Sequence, residues 1–242
     1  TRAAVRGLDS GRLDRPSPRA PPVTNAGLHP NLLEIRRELM SMAAVVDERA
    51  KTVLAAIERD DFGAAEAIRH GDREVDEREL EIEQMCIEVL ARYAPVAGDL
   101  RAVLATLRIN GELERLGDLA KSTAKRLGHL SDLGFLTSPE ILRRMARTVS
   151  DLLEATLDAL GREDPTLARQ ARTTDAQVDE FQRIILDWTQ NELIKGAQRE
   201  NEAAVDLLSI ARNLERMGDM CTNIAEDVIY LVEGRVVRHS RA

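Results

Sequence analysis

The motif that decides the fold is ELERLGD, residues 112–118, because the chain repeats it almost unchanged as NLERMGD, residues 213–219. Both copies contain Leu-Glu-Arg, one apolar residue and Gly-Asp, and the same displacement of 101 residues superposes Ile109 on Ile210. Self-similarity at a fixed distance along a chain is the signature of duplicated structural units. The sequence therefore predicts two copies of one unit.

An earlier stretch of each unit repeats with a slightly different displacement. Moving the sequence by 103 residues superposes Asp72 on Asp175 and Val75 on Val178. The two-residue difference is expected to fall in the loop between the second and third helices of a unit. Each unit thus carries two repeated segments, one on each of these helices.

Amphipathic helices are predicted for almost the whole chain after residue 28. Apolar residues recur at three- and four-residue spacing. Four of the eight prolines fall where such a pattern begins, as suits the first turn of a helix. The predicted helices are 30–60, 62–93, 95–130, 138–161, 164–195 and 197–234. Because the predicted loops are short, the three helices of each unit are expected to run antiparallel.

The same pattern predicts the domain organisation. Residues 1–28 contain the other four prolines and no apolar periodicity, which indicates a flexible Pro- and Arg-rich tail. The first three-helix unit is predicted at 29–134 and the second at 135–242. The fold class is all-α, since aromatic residues are only 2% of the chain and Ala, Leu, Glu and Arg dominate.

Charge and composition exclude several classes of function. A net charge of -8 argues against nucleic-acid binding, which requires clustered basic residues. No stretch approaches the roughly 18 apolar residues of a transmembrane helix, so an integral membrane protein is not expected. Cys86 and Cys221 lie in apolar helical stretches without metal or redox spacing. They are predicted to be buried, reduced thiols, which suits a cytoplasmic protein.

Acidic pairs at four-residue spacing recur at equivalent places in both units. Such a pair lies on one face of a helix, about 6 Å apart, near enough to share a cation. If the second and third helices of a unit lie side by side, each unit gathers four carboxylates. The predicted metal ligands are Asp72, Asp76, Glu114 and Asp118 in the first unit, and Asp175, Asp179, Glu215 and Asp219 in the second.

Two interpretations of these pairs stay open at this point. Acidic residues are so frequent, 42 of 242, that any one pair could be a solvated helix face. The duplication favours a bound cation, since like charges at this spacing destabilise a helix. Ligands that offer only oxygen suit iron, manganese, magnesium or calcium rather than structural zinc. Gly117 and Gly218, within the repeated motif, are interpreted as permitting close helix contact or leaving room beside the carboxylates.

The histidines argue against two kinds of bundle. Di-iron bundles use Glu-x-x-His motifs, and none of the four histidines is preceded by Glu at that position. A phosphotransfer bundle would need a reactive histidine on a helix face, for which His70 is the only candidate. No nucleophile with a base, phosphate-binding glycine loop or zinc motif is present, so an enzyme is not predicted.

Taken together, these segments resemble the PhoU family of bacterial phosphate-regulation proteins. The resemblance covers residues 30–235 and depends on ARYAPVAGDLRAVLATLRINGELERLGDLAKS, HGDREVDERE, TTDAQVDEFQ and IARNLERMGDMCTNIAEDVIYLVEG. It implies two three-helix bundles related by a pseudo-twofold arrangement, a cytoplasmic homodimer and no enzyme activity. It also implies metal clusters, of iron or other ions, on the eight carboxylates above.

The resemblance further implies partners. Members of the family act as negative regulators of the phosphate-starvation response, between the ATPase of a phosphate ABC transporter and a sensor histidine kinase. The function expected here is that of a metal-binding helical adaptor in phosphate uptake. The alternative is a metal-dependent enzyme or a metal store that uses the same acidic faces.

Overall fold

The computed structural model describes residues 27–70, 73–135, 138–173, 175–193 and 198–237. Within them the backbone forms seven α-helices and one 3-10 helix, and no strand. In chain order these are α1 (Leu28–Arg59), the 3-10 helix (Phe62–His70), α2 (Arg73–Tyr93), α3 (Ala97–Asp132), α4 (Glu140–Arg162), α5 (Pro165–Arg172), α6 (Asp175–Leu193) and α7 (Gln198–Glu233). The predicted all-α class is confirmed.

Two of the six predicted helices are divided in the structure. The predicted helix 62–93 forms the 3-10 helix and α2, and the predicted helix 164–195 forms α5 and α6. The sequence at the divisions explains the difference, since Gly-Asp follows the 3-10 helix and Thr-Thr follows α5, and these residues favour helix poorly. The divisions lie at equivalent places of the two units, which agrees with a duplication.

Local sequence also sets the start and end of α4 and α5. Pro139 immediately precedes α4, and Glu163 ends this helix in a left-handed conformation with φ of 51°. Asp164 then caps α5, because its carboxylate accepts hydrogen bonds from the backbone N–H groups of Thr166, at 2.7 Å, and Leu167, at 3.2 Å. These caps turn the chain sharply between two helices that contact each other.

In the first unit (α1, the 3-10 helix, α2 and α3), α2 runs antiparallel to α1 and to α3, as predicted. In the α1–α2 contact, Arg49 pairs with Glu74 at 3.4 Å, whereas Arg78, further along α2, donates a 3.0 Å hydrogen bond to the earlier residue Ser41. The contacts between α2 and α3 show that these two helices are antiparallel as well. Val75 faces Gly117, and the Glu79 carbonyl accepts a 2.9 Å hydrogen bond from Asn110.

The second unit, α4 to α7, repeats this arrangement. Val178 on α6 faces Gly218 on α7, as their counterparts do on α2 and α3. The α5–α7 contact is antiparallel, since Arg172 pairs with Glu226 at 3.2 Å and the earlier residue Arg169 pairs with the later residue Glu233. The repeated sequence segments thus occupy equivalent helix contacts in both units.

The two units share one core. The helix pair with the most extensive contact is α3 with α7, and α1 packs on α4. Buried apolar side chains from both units form a single cluster. Cys86 and Cys221 are buried in this cluster, which confirms their predicted burial. Among the described helices, none is long and apolar enough to cross a membrane.

The α3–α7 contact relates the units by a pseudo-twofold axis. Asn223 donates a 3.4 Å hydrogen bond to Glu112, and Asn213 donates a 3.1 Å hydrogen bond to Ser122. Under the displacement of 101 residues, Glu112 corresponds to Asn213 and Ser122 corresponds to Asn223. The two contacts therefore exchange with each other, as contacts across a twofold axis do. The axis passes between the two copies of the Leu-Glu-Arg motif.

Candidate functional site

The packing of α2 on α3 brings the repeated carboxylates of the first unit together. A Cβ atom at Gly117 would lie 3.5 Å from Cγ1 of Val75, so the two helices approach closely here. Asp76 and Asp118 are the next residues on each helix. They continue the α2–α3 contact toward solvent, where both side chains are exposed. The interpretation of Gly117 as a site of close helix contact agrees with this geometry.

Four carboxylates act on one another at this contact, and we call Asp76, Glu79, Glu114 and Asp118 the α2–α3 acidic cluster. Partial burial raises the pKa of the Glu114 carboxyl above its ordinary value. The charge of Asp118 and a hydrogen bond to that side chain raise the pKa further, followed by the charges of Glu79 and Asp76. The cluster therefore resists full ionisation.

Glu79 completes the cluster and was missed by the sequence analysis. Its pKa is raised by burial first and then by the charges of Glu83 and Asp76. The signal was present in the sequence, since Glu79 lies three residues after Asp76 and its counterpart in the second unit is Gln182. Because this counterpart is neutral, Glu79 does not belong to the carboxylates that the two units repeat.

Within the described part of the chain, no ion pair joins this cluster to a basic side chain. The two cations adjacent to it in sequence pair elsewhere: Arg115 pairs with Glu112 at 3.4 Å, and Arg78 pairs with Glu74 at 3.2 Å. Among the residues that the structure describes, no three His, Cys, Asp or Glu side chains converge closely enough to hold a metal ion. The predicted ligand Asp72 lies outside the described residues. The observed arrangement is thus a set of mutually repelling carboxylates in electrostatic contact, without a closed coordination sphere.

The equivalent carboxylates of the second unit are only partly described. Asp175 is the first residue of α6, and its side chain lies outside the described set. Asp179 is exposed, while Glu215 and Asp219 are half-buried on α7. Val178 and Gly218, which immediately precede Asp179 and Asp219, are in contact. The backbone arrangement of the first unit is therefore repeated, but Gln182 replaces the fourth carboxylate.

The donor chemistry of the α2–α3 acidic cluster fits a hard cation. Carboxylate oxygens are the ligands that magnesium, calcium and manganese prefer. A cation beside Glu114 would remove the repulsion that raises the pKa of this carboxyl. The candidate ligands of such an ion are Asp76, Glu79, Glu114 and Asp118 in the first unit, and Asp179, Glu215 and Asp219 in the second; as placed in this structure, no three of them converge on one point.

One histidine has a partner that the sequence did not reveal. His129 on α3 forms a hydrogen bond through Nδ1 with the carboxylate of Asp206 on α7, whose side chain is only 2% exposed. Arg126 pairs with the same carboxylate at 2.9 Å. The side chain of His70, the candidate from the sequence, lies outside the described set. Only the α3–α7 contact connects His129 with Asp206, 77 residues away.

The fold and the α2–α3 acidic cluster together define a class of protein. Its members are duplicated helical bundles with repeated carboxylates at their helix contacts. The profile of the family described as "PhoU domain" matches this chain twice, over residues 39–127 and 142–228. This chain belongs to the PhoU family. The resemblance inferred from the sequence is confirmed.

Individual relatives and solved structures agree with the family. A Pseudomonas aeruginosa protein named "Phosphate-specific transport system accessory protein PhoU homolog" is 32% identical over 212 residues, 86% of each chain. The crystal structure of PhoU from Pseudomonas aeruginosa matches with a TM-score of 0.79 and 30% identity, covering 86% of this chain and 100% of that one. The phosphate transport system regulatory protein PhoU from Streptococcus pneumoniae gives a TM-score of 0.76 and 26% identity, with coverages of 87% and 99%.

Proposed function

We propose that this chain is the accessory regulator of a phosphate transport system. The observation that carries the proposal is the match of the PhoU domain to both halves of the chain, supported by relatives of similar length that are named for this role. The regulator holds the phosphate-starvation response in its inhibited state when phosphate is plentiful. It acts through helical surfaces, in the cytoplasm, as a homodimer and without catalysis.

The partners of this regulator are a sensor histidine kinase and the ATPase of a phosphate ABC transporter. A rigid bundle suits an adaptor, because α1, α3, α4 and α7 share one core and hold their outer faces in fixed relation. Binding can be measured with purified components: the full chain, the transporter ATPase and the cytoplasmic part of the kinase. Saturable binding to both is expected, and binding to neither at tens of micromolar protein would reject the adaptor role.

Regulation is tested in cells that lack their own PhoU protein. Expression of this chain should lower the activity of a phosphate-starvation promoter in phosphate-rich medium and leave it unchanged in phosphate-poor medium. A chain that is expressed and folded but does not repress the promoter would contradict the proposed function. The oligomeric state is measured separately, by light scattering of the purified protein.

Metal ions bound at the carboxylates form the second part of the proposal. We expect near-stoichiometric iron, manganese, magnesium or calcium in the purified protein, and its loss when Glu114, Asp118, Glu215 and Asp219 are all changed to Ala. The matched control is Glu154→Gln with Asp158→Asn, an acidic pair of the same spacing on α4. Basic residues neutralise this pair, since Asp158 pairs with Arg162 at 2.9 Å and Glu154 lies 4.0 Å from Lys51.

Elemental analysis of the three proteins separates the metal from the adaptor. Metal that is present in the wild type and the control but absent from the quadruple variant supports the metal site. Equal, negligible metal in all three would remove the metal from the mechanism and leave the adaptor role to the binding and promoter measurements.

A further inference from the structure

A basic cavity lies between α3 and α7, beside the pseudo-twofold axis. Its volume is about 620 Å³, within the roughly 300–1,000 Å³ range of small-molecule sites and far more than a single small oxyanion fills. The polar donors that line it are Arg115, Lys121, Ser122, Lys125, Asn213 and Arg216. We call this site the α3–α7 cavity.

The charge of the α3–α7 cavity is opposite to that of the whole protein. Four cationic side chains line it beside one carboxylate, Asp118, whereas the chain as a whole has a net charge of -8. Arg115, Lys125 and Arg216 are exposed. Arg115 has one ion pair, to Glu112, at a long 3.4 Å. Cations gathered in a concave surface concentrate a positive potential and attract anions.

Duplication of the units does not by itself produce this charge. Arg115 and Arg216 are repeat counterparts, the two arginines of the Leu-Glu-Arg motif, and both line the cavity. The lysines break the symmetry, because the counterpart of Lys121 is Thr222 and the counterpart of Lys125 is Glu226. The axis therefore relates the basic cavity to a surface without these lysines. The excess of positive charge therefore lies at the cavity and not at the surface that the axis relates to it.

Neutral hydrogen-bonding groups complete the cavity. The Asn213 side-chain amide donates hydrogen bonds to the hydroxyls of Ser122, at 3.1 Å, and Thr123, at 3.2 Å. This bridge fixes α7 against α3 at the cavity and holds the hydroxyl of Ser122 beside the cations. Leu119, which is buried, adds an apolar surface to the lining. The site thus combines cationic side chains, oriented polar groups and some apolar surface, as small-molecule sites do.

We propose that the α3–α7 cavity binds a small molecule that carries a chain of phosphate groups. Arginine presents a planar fork that matches phosphate oxygens, and lysine is a frequent phosphate ligand as a point charge. Four cations spread over this volume suit several linked phosphates better than one orthophosphate. Two sources share this chemistry, inorganic polyphosphate and a nucleoside polyphosphate. The proposal does not depend on bound metal or on a role in phosphate transport.

The test is isothermal titration of the full chain with inorganic tripolyphosphate, and then with ATP, orthophosphate and citrate, in buffer of fixed, moderate ionic strength. The variant Lys125→Gln with Arg216→Gln removes two exposed cations of the cavity. The control Arg37→Gln with Arg92→Gln removes two exposed cations that do not line it. Exposed substitutions of this kind leave the fold intact, which circular dichroism verifies for both variants.

We expect one saturable site for tripolyphosphate in the wild type and the control, with at least a tenfold loss of affinity in the cavity variant. ATP that binds more tightly than tripolyphosphate identifies a nucleoside polyphosphate as the ligand, and equal affinity identifies the phosphate chain alone. Absence of saturable binding overturns the proposal. Equal losses in both variants, or citrate binding as tightly as tripolyphosphate, also overturn it, since each shows attraction to charge without a site.

Discussion

The α2–α3 acidic cluster predicts that the substitution Glu114→Gln changes the stability of the protein in opposite directions with and without bound metal. In Glu114→Gln the side chain keeps its size and helix propensity but loses its charge. Without metal, this change removes the repulsion between position 114 and Asp118 and should stabilise the protein. With metal, it removes a ligand and should destabilise the protein relative to the wild type.

The geometry gives the size of the metal-free effect. Glu114 and Asp118 lie one helical turn apart, and two charges about 6 Å apart repel by about 0.7 kcal/mol in a water-like dielectric. Because Glu114 is only partly buried, the water-like dielectric describes this repulsion better than the dielectric of a dry interior does. Including weaker repulsion from Asp76 and Glu79, we expect Glu114→Gln to raise the free energy of unfolding by about 0.5–1 kcal/mol at pH 7 in chelator.

The pH dependence has a definite sign. Because the pKa of Glu114 is raised in the folded protein, the folded state holds this proton more tightly than the unfolded chain does. The contribution of the Glu114 carboxyl to the free energy of unfolding is complete below its ordinary pKa of 4.5. It is lost as the pH rises through the higher pKa of the folded state. The difference between Glu114→Gln and the wild type should therefore grow with pH across this window.

The assay is urea unfolding followed by circular dichroism, in chelator and then with manganese or magnesium. A metal at a hundred times its dissociation constant adds about 2.7 kcal/mol to the wild type, so the order of the two proteins reverses. The control Glu154→Gln should show no reversal. The reasoning fails if Glu114→Gln destabilises the protein in chelator, or if metal stabilises both proteins equally.

Three further predictions concern packing. Gly117→Ala should leave stability unchanged or raise it by up to about 1 kcal/mol in thermal unfolding, since the added Cβ meets Val75 at an ordinary contact distance of 3.5 Å; a loss above that amount would contradict this geometry. Leu113→Ala, at a fully buried position, should cost about 2–5 kcal/mol in urea unfolding, against little for the 61% exposed Leu80→Ala. Cys86 should resist a thiol reagent until the protein unfolds, because burial raises its pKa to about 12; fast labelling of the native protein would contradict its burial.

Features set by residues near one another in sequence could be predicted. The repeated Leu-Glu-Arg-x-Gly-Asp motif revealed the duplication, and apolar periodicity revealed the long helices α1, α3, α4 and α7. The division of the second and fifth predicted helices was missed, because apolar periodicity continues from the 3-10 helix into α2 and from α5 into α6. The composition of the divisions, Gly-Asp in one and Thr-Thr in the other, was the available signal.

Contacts between distant helices could not be predicted. His129 meets Asp206, and Lys125 shares a cavity with Arg216, only because α3 and α7 run antiparallel about the pseudo-twofold axis. The spacing of these residues along the sequence does not indicate either pairing. Glu79 was missed for a different reason, since its counterpart Gln182 hid it from a comparison of the two copies.

Asp118 stands between two surfaces of opposite charge, as a member of the α2–α3 acidic cluster and the one carboxylate lining the α3–α7 cavity. A cation that binds the α2–α3 acidic cluster and neutralises Asp118 would raise the affinity of the α3–α7 cavity for an anion. By thermodynamic reciprocity, the bound anion would raise the affinity of the cluster for the cation by the same factor. One helical residue would thus let the protein respond to two solutes as a coincidence detector.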